Sequence, residues 1–545
     1  MKTIFSRLIA IIALAAFTTC STAQRITFPT DINNYAAELN FEVMNEYLQF
    51  QKEMDKHSVY NAKNNIGYLM DLGFIEHYAG NYQESSKYLL EAERLIWEAY
   101  TKSISDGFKS FATVNPYKVE YPGEDFENIY INIFCALNFL HMGDLEKALV
   151  EVRRVNEKLL YMNDEYEKNF NSLSIETRSK ASKIEYYTNS ALVRYLCVLL
   201  WRAIGNMDSA RIDAIGLNEA FAAAPHLYTH PVPPEMVMRG DICDETSIPA
   251  GMARLNFLSF TGFSPHKIPL DTSDFDDGTG YEPNIKSLSY RRSPVDRIEV
   301  IFDNGRRLNL SLLEPLDVIS QQIFETKEAY RRSAWGAHTV GSFFTDALLI
   351  ALTLGIYGGK SEATRNTALD MRMSQLLPGK AYVGGINLPP GTYSFTLNYY
   401  SGQKIIERRR IENKAVSAGG LNLVHDYSLK FEETRMPNKW NYESIAAMPD
   451  FPGRLQPPSN FRYKADEPEP EGLRTIDLTS VRWDPVPGAV AYYIYLVNPV
   501  SSSREYVVKG VVTEPRLLTG GFTSGSGRRI IAVGAGGFSV PSGSF

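Results

Sequence analysis

Gly143-Asp144-Leu145-Glu146-Lys147-Ala148 is the stretch on which the reading of this chain turns. A glycine closes one helical pattern, an acidic residue opens the next, and an alanine follows five positions after the glycine. Related turns stand at Gly80-Asn81-Tyr82 and Gly205-Asn206-Met207. Each has a small residue seven or eight positions earlier (Gly73, Cys135 and Ala136, Cys197) and another five later (Ser85, Ala148, Ala210), which lets two antiparallel helices pack closely. A helix pair of this kind cannot bury its apolar face alone, so it stacks on neighbours. Stacked pairs present a groove to a partner more often than an active site.

From about Thr30 to Pro225 apolar residues recur at helical spacing, as in Ile66, Leu69, Met70, Gly73, Phe74 and His77, or Tyr195, Val198, Leu199 and Arg202. The turns resemble the interhelix bends of tetratricopeptide repeats, best in Gly143 to Ala148. The turn glycines lie 63 and 62 residues apart, whereas a tetratricopeptide repeat spans about 34 residues. The array expected over 30–225 is therefore irregular, with extra helices or inserted loops such as Ser103 to Glu127. The resemblance implies a partner-binding groove. Its expected lining is Phe74, His77, Tyr78, Leu137, His141, Tyr195, Leu199 and Arg202, at groove-facing offsets on the first helix of each pair. The competing reading for each is helix-stack core.

The chain has 545 residues, too many for one core, and its composition, 44% hydrophobic and 12% aromatic, is that of a folded protein. A formal charge of -7 argues against non-specific nucleic-acid binding. Residues 1–23 read as an export signal, with Lys2 and Arg7 ahead of the apolar run Leu8 to Phe17. Two cuts compete. Ser21-Thr22-Ala23 fits ordinary signal peptidase, while Phe17-Thr18-Thr19-Cys20 resembles the bacterial lipobox, in which Cys20 carries the lipid. A cysteine at the end of the apolar run favours the second, and acyl chains there would anchor the protein to a membrane. Cys135, Cys197 and Cys243 have unrelated spacings and specify neither a disulfide framework nor a zinc site.

Between His226 and Pro294 helical periodicity stops, and the region reads as proline-, glycine- and aspartate-rich loop with short strands at most. A central mixed domain is expected over 295–435. Arg297 to Phe302, the turn Asp303-Asn304-Gly305 and Arg307 to Leu310 read as a β-hairpin, Leu316 to Tyr330 as a helix, and Tyr382-Val383, Pro389 to Leu397 and Lys404 to Ile406 as a small antiparallel sheet. Residues 455–545 resemble a fibronectin type III domain through Pro457 to Asn460, Val481-Arg482-Trp483-Asp484-Pro485, Ala491 to Tyr495, and Val533-Gly534-Ala535 with Gly537-Phe538-Ser539. In that family the tryptophan fills the core between two sheets. The expected fold class is multidomain α+β: a tetratricopeptide-like helical array, a central mixed sheet domain and a fibronectin type III-like sandwich.

Several motifs invite functional readings that their surroundings do not support. Gly355 to Ser361 ends like a nucleotide-binding loop, but its glycine spacing is one residue short. Phe343 to Tyr357 is strongly apolar yet interrupted by Asp346 and too short to cross a bilayer comfortably. His226 and His230 lack the partners of a metal shell, Asp271 to Asp277 lacks the spacing of a calcium loop, and Glu407 to Arg410 reads as a solvated strand face. No nucleophile elbow or zinc-protease motif occurs.

Together the pieces resemble a family of bacterial envelope lipoproteins with no established reaction, on Gly143-Asp144 leading to Glu151-Val152-Arg153-Arg154, on Gly262 to Lys267, and on Ala368 to Arg372 before Leu377-Pro378. The match covers about Asn61 to Tyr400. It implies location and architecture more than activity, and the leading expectation beside it is a non-enzymatic, exported scaffold or adaptor of the cell envelope, on its periplasmic side or surface. The membrane would be reached through the lipid anchor, an envelope protein through the groove, and glycan or wall by secondary contact, with no cofactor, metal or catalytic residue. Two alternatives stand beside it: a glycan-processing enzyme with its site in the central domain, and a structural subunit of a membrane complex.

Overall fold

The computed structural model describes residues 31–53, 60, 64–105, 121, 123–172, 187–269, 286–324, 372–435, 439–440, 455–465, 478–487, 489–497, 506–512, 515–520, 529–534, 537–539 and 542. Cys20, the export signal, Phe343 to Tyr357, Gly355 to Ser361 and Asp271 to Asp277 lie outside them. The fold is mixed α+β.

Two short helices, α1 (Asp31–Ala37) and α2 (Phe41–Glu53), precede three helix hairpins: α3 (Asn65–Tyr78) with α4 (Tyr82–Ser105), α5 (Asp125–His141) with α6 (Leu145–Ser172), and α7 (Ala191–Ala203) with α8 (Met207–Ala223). The three turns are closed by one repeated hydrogen-bond pattern. Gly80 N–H donates to His77 O and Asn81 N–H to Glu76 O, Gly143 to Leu140 and Asp144 to Phe139, Gly205 to Arg202 and Asn206 to Trp201. This closure needs a left-handed residue after the helix, and the glycines supply it at φ of 84°, 80° and 83°. The small residues do their expected work. A side chain at Gly73 would meet Leu89 at 2.6 Å, and Ser85, Ala148 and Ala210 are fully buried.

The second layer is a seven-stranded sheet built from β1 (Ala253–Phe263), β4 (Arg297–Phe302), β5 (Arg307–Glu314), β6 (Pro378–Leu388), β7 (Gly391–Ser401), β8 (Lys404–Val416) and β9 (Asn422–Ser428), in the order β8-β7-β4-β5-β6-β1-β9. All neighbours are antiparallel except β1 and β9. Side chains tie the two end strands together: Ser428 Oγ donates to Glu407 at 2.6 Å, Lys414 Nζ donates to Leu423 O at 3.1 Å, and Arg409 faces Asp426 at 3.7 Å. The sheet is thus barrel-like. Its inside is a core of Leu255, Phe257, Ile298, Phe302, Phe395 and Leu397, and its outside carries Leu258, Phe260, Leu313 and Val383 into the core of the helices. A smaller sheet runs β10 (Glu432–Arg435), β3 (Lys286–Arg292), β2 (His266–Pro269).

Two expectations are corrected here. Region 226–294 holds more than short strands, because β1 runs through it for 11 residues, all buried. The central sheet is neither small nor wholly antiparallel, since β1 joins it to β9 in parallel. The predicted hairpin is present as β4 and β5, with Gly305 at φ 84° in its turn, and the predicted helix is present over 316–324.

The C-terminal region forms two sheets. One is β12 (Arg462–Ala465), β13 (Leu478–Arg482) and β16 (Arg516–Gly520). The other runs β11 (Lys439–Trp440), β15 (Tyr506–Val512), β14 (Ala489–Val497), β17 (Arg529–Gly534), β18 (Gly537–Phe538). Trp483 is buried between them with Val481, Tyr492, Ile494 and Ile530.

Candidate functional site at the inner face of the helical layer

The expected groove is not open. Phe74, Leu137, Tyr195 and Leu199 are fully buried, and His77 and Tyr78 nearly so. Phe74 meets Phe134 edge-on at 4.7 Å, and Phe134 stacks on Phe260 of β1 at 5.6 Å. Arg202 is held in an ion pair with buried Glu245, which also binds Arg254 of β1 at 2.7 and 2.9 Å. Of the eight residues, only His141 is exposed. Helical periodicity identifies the apolar face but not its cover, and here the chain's own sheet covers it.

Residues 372–377, all buried, cross this inner face as an irregular strap before β6 begins. Side chains and loop backbone satisfy its peptide groups. Asp71 Oδ1 accepts from Ser374 Oγ at 2.5 Å and from Gln375 N–H at 3.0 Å, while Glu127 accepts from Ser374 N–H. The strap's carbonyls are met in turn. Lys267 Nζ donates to Arg372 O at 2.9 Å, Arg291 to Gln375 O at 2.7 Å, Tyr78 OH to Leu376 O at 3.3 Å and Ser264 N–H to Leu377 O at 2.8 Å. The helical pairs therefore do grip a peptide, and it belongs to the same chain.

The gripping carboxylates are out of water. Burial pushes Asp71 up to about 6 against the pull of its Ser374 and Tyr60 hydrogen bonds. It pushes Glu127 up to about 7, with the charge of Glu124 adding to the effect. Glu314, at the end of β5, is also raised by burial, and it accepts from Leu192 N–H at 2.9 Å and Ser190 Oγ at 2.8 Å at the start of α7. An anion there answers the helix dipole and the unsatisfied first amides. Raised carboxylates often mark catalysis, but these spend their oxygens on structural donors.

At the other end of the same face three imidazoles meet. The centroids of His77 and His425 are 5.2 Å apart, those of His141 and His425 5.5 Å, and those of His77 and His141 6.2 Å. His77 Nδ1 faces Asn138 Oδ1 at 2.6 Å and His141 Nε2 faces His425 Nδ1 at 3.3 Å. Among the described residues, His425 Nε2 has no hydrogen-bond partner. Desolvation lowers all three, His77 to about 3 and His141 to about 4. His141 lies flat on Tyr82, with centroids 4.1 Å apart and planes at 2°.

Asp71, Glu127, Glu245, Glu314 and His425 escaped the sequence reading. The available signal was an acid inside an apolar run, as in Met70-Asp71-Leu72 and Leu313-Glu314. Among the described residues no group of three or more His, Cys, Asp or Glu is placed to hold a metal ion, and no helix is long and apolar enough to cross a membrane. No family model matches the chain, and neither a curated protein nor a solved structure matches it.

Proposed function

We propose that this chain is a non-enzymatic scaffold of the bacterial cell envelope, exported through residues 1–23 and anchored by lipid on Cys20. In this reading it belongs with the envelope lipoproteins it resembles. Its helix hairpins are an irregular tetratricopeptide-like array, and residues 455–545 are a fibronectin type III-like sandwich. The observation that supports it is the filled inner face: strap 372–377 and the outer face of β1 occupy the place of a partner peptide. An array used in cis is a frame. Partner contact then passes from the groove to surfaces the frame carries, foremost the C-terminal sandwich, where protein or glycan of the envelope would be met.

The buried carboxylates weigh against the enzyme alternative. Asp71 and Glu127 are closed in by the strap they hold, so a substrate would have to displace the fold itself.

The test is capture from native envelopes with cross-linked full-length protein beside a form lacking 455–545, with mass spectrometry of the bait's N-terminus. A partner lost with 455–545, together with a diacylated Cys20, supports the reading. A partner kept by the shortened bait, or an unmodified N-terminus beginning after Ala23, sinks the corresponding half of it.

A further inference from the structure

We infer that His77, His141 and His425 form an acid-sensitive seam, at which protonation parts the helical layer from β9. The inference concerns the protein's own packing and stands whether or not the scaffold reading holds. It rests first on geometry. Three imidazoles from α3, α5 and β9 meet where helices and strand touch, with ring centroids 5.2 to 6.2 Å apart, beside the contact of Tyr427 with Tyr78. Their surroundings are apolar or neutral. Phe134 is 4.7 Å from His77, Phe260 is 5.1 Å from His425, and Tyr82 covers His141.

Among the described residues, the polar and charged groups around the cluster offer no counter-charge. On α3, Glu76 is turned away, accepting from Asn45 and Asn81. On α5, Asn138 faces His77. On β9, Asp426 points into the barrel to accept from Tyr399 OH at 2.8 Å, and Tyr427 OH donates to Tyr78 O. From β8 comes Lys414, a cation that further disfavours a charged His141. Among the described residues no carboxylate bonds to any of the three rings. A second proton would therefore place like charges about one ring apart in an apolar seam, with no described carboxylate bonded to either ring.

The sign follows from the depressed values. A histidine whose folded pKa is lowered stabilises the closed seam fully above its free value of about 6.5, and that stability is lost as pH falls toward its folded value. For His77, at about 3 when closed, acidification from pH 7 to 4.5 favours the open seam by about 100-fold. His141 contributes less, because its edge already meets water. Strand β9 is free to respond. It is laddered to β1 alone, and side chains close its other edge against β8.

Hydrogen exchange of the full chain tests this, with amides 134–142 and 422–428 followed at pH 7 and 4.5 and corrected for intrinsic rates. The wild type should lose protection there by about 100-fold or more, while β4 and β7 amides hold theirs. His141→Gln, at an exposed position that leaves folding intact, and His425→Phe, which fills the same space without a charge, should each retain more protection at pH 4.5. His230→Gln is the control: that ring is also lowered, to about 4, but it faces Leu313 O elsewhere. Unchanged wild-type protection at pH 4.5, or the same loss in both seam variants, would overturn the inference.

Discussion

The two ends of the helical layer's inner face solve one problem with opposite materials. At one end Asp71 and Glu127 accept hydrogen bonds from the backbone of the strap. At the other, three neutral imidazoles lie among phenylalanines and tyrosines. Both ends are buried, yet they respond to protons in opposite directions. A carboxylate raised by burial stabilises the fold below its free value and loses that contribution as pH rises through its folded value. A lowered histidine does the reverse. Between about pH 4 and 7 acid therefore tightens the strap and loosens the seam. The difference teaches that burial alone does not set the response: for a desolvated group with no counter-charge what matters is whether it is an acid or a base, whereas Glu245, a buried acid that desolvation would raise, is held low by Arg254 and Arg202.

The hardest blow to the buried carboxylates of this face is Glu245→Ala. It leaves Arg202 and Arg254 facing each other in the core, and the expected loss is about 3–5 kcal/mol of unfolding free energy, read by denaturant titration. Replacing all three by apolar residues of similar volume should recover much of that loss, because the desolvation cost goes with the charges. If Glu245→Ala costs no more than a surface substitution, buried charge does not hold this face, and its contrast with the neutral imidazoles fails.

Glu127→Gln sharpens the comparison through pH. Glu127 sits at about 7 in the fold against about 4.5 unfolded, so its contribution falls by up to about 3 kcal/mol as pH rises through that window. The variant is expected to start out less stable, since an amide cannot accept from Ser374 N–H, Glu124 N–H and Tyr121 OH together. Its stability should nevertheless change less than the wild type's between pH 5 and 8. A variant that keeps the full wild-type slope would place the raised acid elsewhere, with Glu235, also pushed to about 7, as the next candidate.

Much of the frame was legible because it depends on local chemistry. The turn glycines and the Asp303-Asn304-Gly305 hairpin each act within a few residues of themselves. Strand β1 was hidden for the opposite reason. Arg254, Asn256, Ser259 and Thr261 spoil its apolar pattern, yet all are buried. The first three find partners far along the chain: Arg254 in Asn387 Oδ1 at 3.3 Å, beside its nearer ion pair with Glu245, Asn256 in Tyr195 OH at 3.1 Å and Ser259 in Tyr399 OH at 2.9 Å. The strap has no periodicity at all, being defined by the acids that receive it. The groove residues were read correctly as an apolar face and wrongly as an open one, since a helix pattern carries no record of what lies across from it.

The smallest effect belongs to the turns, which act through backbone conformation alone. A side chain at Gly143 would meet nothing within 4 Å, so only its φ of 80° resists substitution. Gly143→Ala should cost about 1 kcal/mol, the strain of a left-handed alanine. Gly143→Asn should cost less, because asparagine tolerates that conformation. Gly73→Ala tests the other half of the repeated pattern. A Cβ there comes within 2.6 Å of Leu89, a core side chain that cannot swing into solvent, so overpacking of about 1–3 kcal/mol should outweigh the gain in helix propensity. If thermal unfolding ranks Gly143→Ala above Gly73→Ala, the hairpins are held by their turns rather than by close helix packing, and the spacing of small residues that first marked them would need another cause.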